Sequence, residues 1–130
     1  MAATVGYSRA VRVGAHVHVA GTAPIMPGEA DPPPDPYSQA MRSLEIILGA
    51  LAEVGASAEH VVRTRAYLIN GDDWKDVGRA HGEVFGSVRP ASAFVVVKGL
   101  LDPRWLVEFE VDALVPSEMT GRPAVRQDVR

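Results

Sequence analysis

Three carboxylates recur at every second position of one short stretch: Glu108, Glu110 and Asp112, with Val107, Phe109, Val111 and Ala113 set against them. A carboxylate secluded in a cleft has its pKa raised and can orient or activate a water. The same alternation is also the wet side of a half-buried strand, so the pattern alone assigns no chemistry. Arg63 and Arg65 share one face of a second strand, and Arg89 and Arg104 stand in or beside loops. Any of these four could hold an anion, because a guanidinium presents a planar fork of donors to a carboxylate. The strand pair fits a solvated face or ion pairs between subunits equally well. His16 and His18 lie two apart, as in some metal sites, but no third ligand follows in pattern and no metal is expected. Ser92 has no general base evident in the sequence and is not read as a nucleophile. Phosphate-loop, dinucleotide-binding, zinc-peptidase and Gly-x-Ser-x-Gly motifs are all missing, and no cofactor is expected.

These residues need a frame to hold them. Ala10 to Thr22 reads as a hairpin turning at Gly14-Ala15, with Val17 and Val19 on one face and His16 and His18 on the other. Gly21 permits a turn or a close backbone approach there. Pro32, Pro33, Pro34 and Pro36 exclude a regular element from the loop over 26–36. A helix is predicted from Asp35, which can cap it, with Pro36 at its first position and Gly55 as its stop. Its apolar stripe is Tyr37, Met41, Leu44, Leu48, Leu51 and Val54. Val61 to Ile69 is a strand that ends at Asn70-Gly71. A second helix runs from Asp72 or Asp73 to about Val88, packing Trp74, Val77, His81, Val84 and Phe85. Pro90 stops continuation and begins an extended stretch, with a strand over Ala93 to Lys98 and another over Leu106 to Ala113.

Two helices can cover one face of such a sheet. The run Phe94-Val95-Val96-Val97 is hard to leave wet, so a buried second face is expected, most economically against other copies of the chain. The 130 residues are 47% hydrophobic and 22% charged with a net charge of −3, which fits one globular domain over 1–115 followed by a polar tail over 116–130 that could be disordered. The mild acidity disfavours nucleic acid as a partner. No cysteine is present, so thiolate chemistry and disulfides are excluded. Neither a secretory signal nor a membrane span is expected, which makes the cytoplasm the expected location.

The order and spacing of Tyr7, Ala20-Gly21-Thr22, Gln39 in the long helix, Val61-Val62-Arg63-Thr64-Arg65-Ala66-Tyr67, Arg89-Pro90-Ala91-Ser92 and Val107-Glu108-Phe109-Glu110 resemble the YjgF/YER/UK family, also called Rid or endoribonuclease L-PSP. The resemblance spans about Tyr7 to Ala113. It implies an α+β, chorismate-mutase-like fold: a sheet packed against two helices, assembled as a trimer around a barrel-like core, with small-molecule clefts between subunits. For the best understood subgroup it implies metal-independent hydrolysis of enamines and imines to a 2-oxo acid and ammonia. On that template Glu108 matches the water-positioning glutamate, and Tyr7 matches a residue that could close the cleft or simply anchor the terminus.

Two positions depart from the subgroup. Its arginine after a Pro-Ala pair, which forks onto the substrate carboxylate, is replaced by Ser92, with one hydroxyl and no charge. Its Ser-Gly-Gln turn reads Ala20-Gly21-Thr22. Arg63, Arg65, Arg89 and Arg104 are then the rival sources of a cationic clamp. Two functions stay open: a deaminase of a small enamine or imine, and a homotrimer that binds a small metabolite without turning it over. The ribonuclease label is disfavoured, because no basic and aromatic track for RNA is visible.

Overall fold

The computed structural model describes residues 2–116. Apart from Pro116, the predicted tail lies outside the described residues. A one-turn helix α1 (Ala2–Val5) precedes strands β1 (Ala10–Val13) and β2 (His16–Thr22), helix α2 (Pro36–Glu53), β3 (Val61–Leu68), helix α3 (Trp74–Phe85), β4 (Ala91–Val96) and β5 (Val107–Leu114). The strands form one sheet in the order β1-β2-β5-β3-β4. All neighbours are antiparallel except β3 and β4, which run parallel. A parallel pair needs a crossover, and α3 supplies it. The fold is α+β, as predicted.

Both long helices lie on one face of the sheet. Val17 and Val19 of β2, Ala66 and Leu68 of β3 and Val107, Phe109, Val111 and Ala113 of β5 meet Leu44, Ile47 and Leu51 of α2 and Val77, Ala80 and Phe85 of α3. The alternation predicted for β2 and β5 is therefore the one observed. Asp35 caps α2 by accepting a hydrogen bond from the Ser38 amide at 2.8 Å, and Gly55 follows the helix in the left-handed region at φ +78°.

The buried seam of α2 is rotated from the predicted stripe. Gln39, Ala40, Ser43, Leu44, Ile47, Ala50 and Leu51 are buried, whereas Tyr37, Met41, Leu48 and Val54 are only partly so. Small side chains at 40, 43 and 50 let the helix sit close to the sheet, so volume decided the seam and not hydrophobicity alone. Tyr37 instead sits at the boundary with α3. Its hydroxyl donates to Glu83 and the Arg79 guanidinium stacks 3.8 Å from its ring centroid.

Three further expectations are corrected. Trp74 opens α3 beyond the reach of the core and is 55% exposed. The helix ends at Phe85 and not near Val88: residues 86–88 form a turn in which the Val88 and Arg89 amides both donate to the Phe85 carbonyl, and Arg89 takes up φ +57°. Strand β4 starts at Ala91, since Pro90 leaves the chain extended and pairing with β3 begins at once, Ala91 against Arg63. At the sheet edge Val95, on the face away from the helices, is 42% exposed, so among the described residues of one chain the second face has no cover.

Candidate functional site

The sheet face opposite the helices gathers the charged residues. Strand register sets Arg63, Arg65 and Tyr67 of β3 against Asp112, Glu110 and Glu108 of β5, and His18 of β2 against Asp112. Most of these charges neutralise one another. Glu110 accepts from the Tyr67 hydroxyl at 2.5 Å and from Arg65 at 3.3 Å. Asp112 pairs with His18 Nδ1 at 2.7 Å and lies 3.6 Å from Arg65. Hydrogen bonding to Glu110 raises the Tyr67 pKa, because ionising the phenol would lose that bond.

Glu108 is different. It is half-buried, and among the described residues it accepts no hydrogen bond and joins no ion pair. Loss of solvent pushes its pKa up, with Arg9 opposing and Glu110 reinforcing the rise. Its position depends on a β-bulge. Val19 pairs with Val111 and Thr22 with Phe109, so Ala20 and Gly21 together face the single residue between. Such bulges re-aim nearby groups. A methyl group at Gly21 would stand 2.9 Å from Glu108 Oε1; glycine leaves that space to the carboxylate.

Arg9 closes the other side. Its Nη1 donates to the Gly21 carbonyl at 2.9 Å and to Thr22 Oγ1 at 3.0 Å, and the Thr22 hydroxyl donates to the Ala20 carbonyl at 2.7 Å. The Tyr7 ring lies 5.9 Å from the guanidinium. Tyr7, Ala20, Gly21, Thr22 and Glu108 are thus brought together, and Arg9 joins them. Sequence reasoning passed over Arg9. A signal existed: the Ala10 to Val19 pairing, extended by the bond from the Ala20 amide to the Arg9 carbonyl, continues the hairpin register back to this residue.

The remaining candidates lie elsewhere. Arg65 is on the open face but engaged with Glu110 and Asp112. Arg89 occupies the left-handed turn after α3. Arg104 grips Asp102 and Asp31, both at 2.7 Å, and these contacts hold the Asp102 carboxyl down at about 2. It lines a loop cleft of about 600 Å³ with Pro24, Ile25, Met26, Leu101 and Trp105. None of Tyr7, Gly21 or Glu108 lines that cleft, so the volume and the chemistry do not coincide.

Ser92 sits on the helix side of β4, paired in register with buried Thr64. The Thr64 hydroxyl bridges Ser92 Oγ at 2.7 Å and His81 Nε2 at 2.8 Å. His81 packs among Phe85, Phe94 and Phe109, and its burial lowers its pKa. Within one chain Ser92 and Glu108 therefore point to opposite faces. No cluster of three or more potential metal ligands occurs among the described residues, and no helix there is long and apolar enough to cross a membrane.

Comparison with known proteins adds a second line. Residues 1–115 match the family Endoribonuclease L-PSP. The protein SCO2049 of Streptomyces coelicolor is 43% identical over 108 residues, covering 83% of this chain and 81% of that one. A RutC family protein of Pyrococcus abyssi is 36% identical over 95 residues, covering 72% and 75%. The crystal structure of Rv2704 from Mycobacterium tuberculosis, a member of the YjgF/YER057c/UK114 family, superposes with a TM-score of 0.79 at 43% identity, covering 88% and 91%.

Proposed function

Because the chain belongs to the YjgF/Rid (endoribonuclease L-PSP) family, we propose that it is a hydrolytic deaminase of a small enamine or imine, with Glu108 holding the attacking water. One observation carries this reading: of three carboxylates in a row, only Glu108 is both half-buried and uncompensated. In the proposed reaction Glu108 accepts a proton as water adds to the carbon of the C=N bond. That proton passes to nitrogen to give the carbinolamine; Glu108 then takes the hydroxyl proton and delivers it to the amino group, and the C–N bond breaks to leave a carbonyl product and ammonia. An enamine enters by tautomerising to its imine. A carboxylate with a raised pKa suits both halves of that transfer, because it takes the proton more readily and still returns it.

Incubation with imines generated in situ tests the proposal through ammonia release above the spontaneous rate. Glu108→Gln should lower turnover about 10²–10⁴-fold, the usual contribution of a positioned base. Glu110→Gln is the matched control: it weakens the contacts to Tyr67 and Arg65 and should leave turnover near wild type. Near-normal turnover in an assembled Glu108→Gln variant would remove Glu108 from the reaction.

The site is proposed to be completed between subunits of a cytoplasmic homotrimer with a barrel-like core. Support comes from the uncovered sheet face, where Val11, Val13, Val95 and Leu114 are exposed. Light scattering should give about three times the 13.9 kDa chain mass; a stable monomer refutes the assembly. A second reading, a metabolite-binding trimer without catalysis, draws on Ser92, whose hydroxyl is engaged by Thr64 and carries no charge. Under that reading ligands bind the cleft and no imine is turned over.

A further inference from the structure

We propose that Ser92, Thr64 and His81 form a second site, a nucleophilic serine that takes a short acyl group from an activated ester or thioester. The proposal does not rest on the reading of Glu108, which lies on the other face of the sheet. Ser92 is exposed on the edge strand β4, Thr64 is fully buried beside it, and His81 is half-buried on α3. Thr64 Oγ1 stands 2.7 Å from Ser92 Oγ and 2.8 Å from His81 Nε2. A buried threonine hydroxyl is satisfied by one partner, so His81 alone would do; the second bond carries the chain on to the surface. Each hydroxyl can rotate and either imidazole tautomer completes the chain, so protons can run from Ser92 through Thr64 to His81. That is the connection between nucleophile and base that a reactive serine needs, one hydroxyl longer than the direct form.

The surroundings favour that direction. The rings of Phe85, Phe94 and Phe109 hold the imidazole at centroid distances of 4.9, 6.0 and 6.2 Å, and loss of solvent keeps it neutral at pH 7, ready to accept. No charged group among the described residues shifts its titration: Arg79 and Glu83 of α3 are turned to Tyr37, and β3, β4 and β5 meet it with hydroxyls and phenyl rings. Strand β4 also leaves one edge open. The Val97 amide donates to the Leu68 carbonyl of β3, and alternation then turns the Ser92 and Phe94 amides outward, where they can donate to an oxyanion formed at Ser92. Phe94 shares the Ser92 face and gives a short apolar acyl chain a wall. In the proposed step Ser92 Oγ attacks the acyl carbon, its proton passes to Thr64 Oγ1, and the Thr64 proton passes to His81 Nε2. The bond to the leaving group breaks, and that group departs as an anion, a phenolate or a thiolate. Water then adds to the acyl carbon and gives one proton to solvent, the C–Oγ bond breaks, and Ser92 recovers its proton from the imidazolium through Thr64.

The probe is para-nitrophenyl acetate on the full chain, with nitrophenolate release followed by absorbance and the acetyl group located by peptide mass spectrometry after acid quenching. Wild type should carry the acetyl group on Ser92, and Ser92→Ala should carry none there. Thr64→Val and His81→Gln should slow acetylation of Ser92 about 10²-fold, the lower end of what a positioned base contributes. The wild-type rate should rise with pH to a plateau once His81 is neutral, with a midpoint below the ordinary 6.5, whereas His81→Gln should climb with hydroxide throughout. A merely structural histidine would leave the shape of that profile unchanged. Acetyl groups on lysines or tyrosines with Ser92 unmodified in wild type overturn the proposal without any buried substitution, and so does a wild-type rate that climbs with hydroxide and never levels. It fails also if folded Thr64→Val and His81→Gln, checked by urea unfolding, acetylate Ser92 at the wild-type rate.

Discussion

Gly21→Ala is the sharpest perturbation available, because it should move one carboxylate and little else. The new methyl would lie 2.9 Å from Glu108 Oε1, 3.2 Å from its Cδ and 3.8 Å from its Cγ. Ordinary contact begins near 3.4 Å, so the oxygen must retreat by about 0.5 Å or the side chain must change rotamer. Everything it meets is the end of a flexible side chain, and Gly21 does not occupy the left-handed region. The fold should therefore accept alanine, with stability changed by less than about 1 kcal/mol, partly offset by the smaller entropy of the unfolded chain. Catalysis is less tolerant. A misplacement of about 1 Å can cost 10²-fold, so roughly 10- to 100-fold in turnover is expected from this shift. The assay is ammonia release from an imine generated in situ, paired with urea unfolding and light scattering on the same sample. Wild-type turnover in the alanine variant would refute the claim that Gly21 exists to seat Glu108. A large loss of stability would refute the claim that the contact is soft.

Two other outcomes follow from polar groups packed under the sheet, one buried and one half-buried. Gln39 donates to the Pro33 and Arg104 carbonyls at 2.9 and 3.0 Å and accepts from the Leu106 amide at 2.8 Å; Gln39→Leu strands all three and should cost about 2–4 kcal/mol in urea unfolding, without touching residues around Glu108. His81 is half-buried, and that loss of solvent holds its folded pKa below the ordinary 6.5. The unfolded chain therefore binds the proton first, and the stability His81 supports is full above about pH 6.5 and lost progressively as pH falls below it. Urea midpoints between pH 7.5 and 5.5 should fall more steeply for wild type than for His81→Gln, and equal slopes would show that the imidazole is not held neutral.

Much of the frame was legible because it follows from period and punctuation. The alternation in 106–113 told which side chains of β5 face the helices, and Asp35-Pro36 told where α2 begins. What escaped depended on volume or on pairing across long separations. The seam of α2 turned toward Ala40 and Ser43, which a search for large apolar residues passes over. The link from Thr64 to Ser92 and His81 arises only when β3 and β4 lie parallel in one register, a fact no local pattern carries. Gln39 was noticed as a marker, but its task of tying two loops to a helix needs partners 6 and 65 positions away.

The candidate site shows the same limit from the other side. Glu108, Glu110 and Asp112 are indistinguishable as an every-other-residue pattern, and spacing cannot rank them. Neighbouring strands rank them. Arg65 and His18 project beside Glu110 and Asp112 and pair with them, while Glu108 lies at the other end of the row, where the β2 bulge sets a glycine beside it. The bulge does two things at once: it denies Glu108 a side-chain partner, and it presents the Gly21 carbonyl and Thr22 hydroxyl that hold one nitrogen of Arg9. A carboxylate left without its own counter-ion by one irregularity in the sheet is complementary to a ligand rather than to a neighbour in the chain. Closing the bulge by deleting Ala20 should let Glu108 be compensated from within the chain, at the expense of turnover.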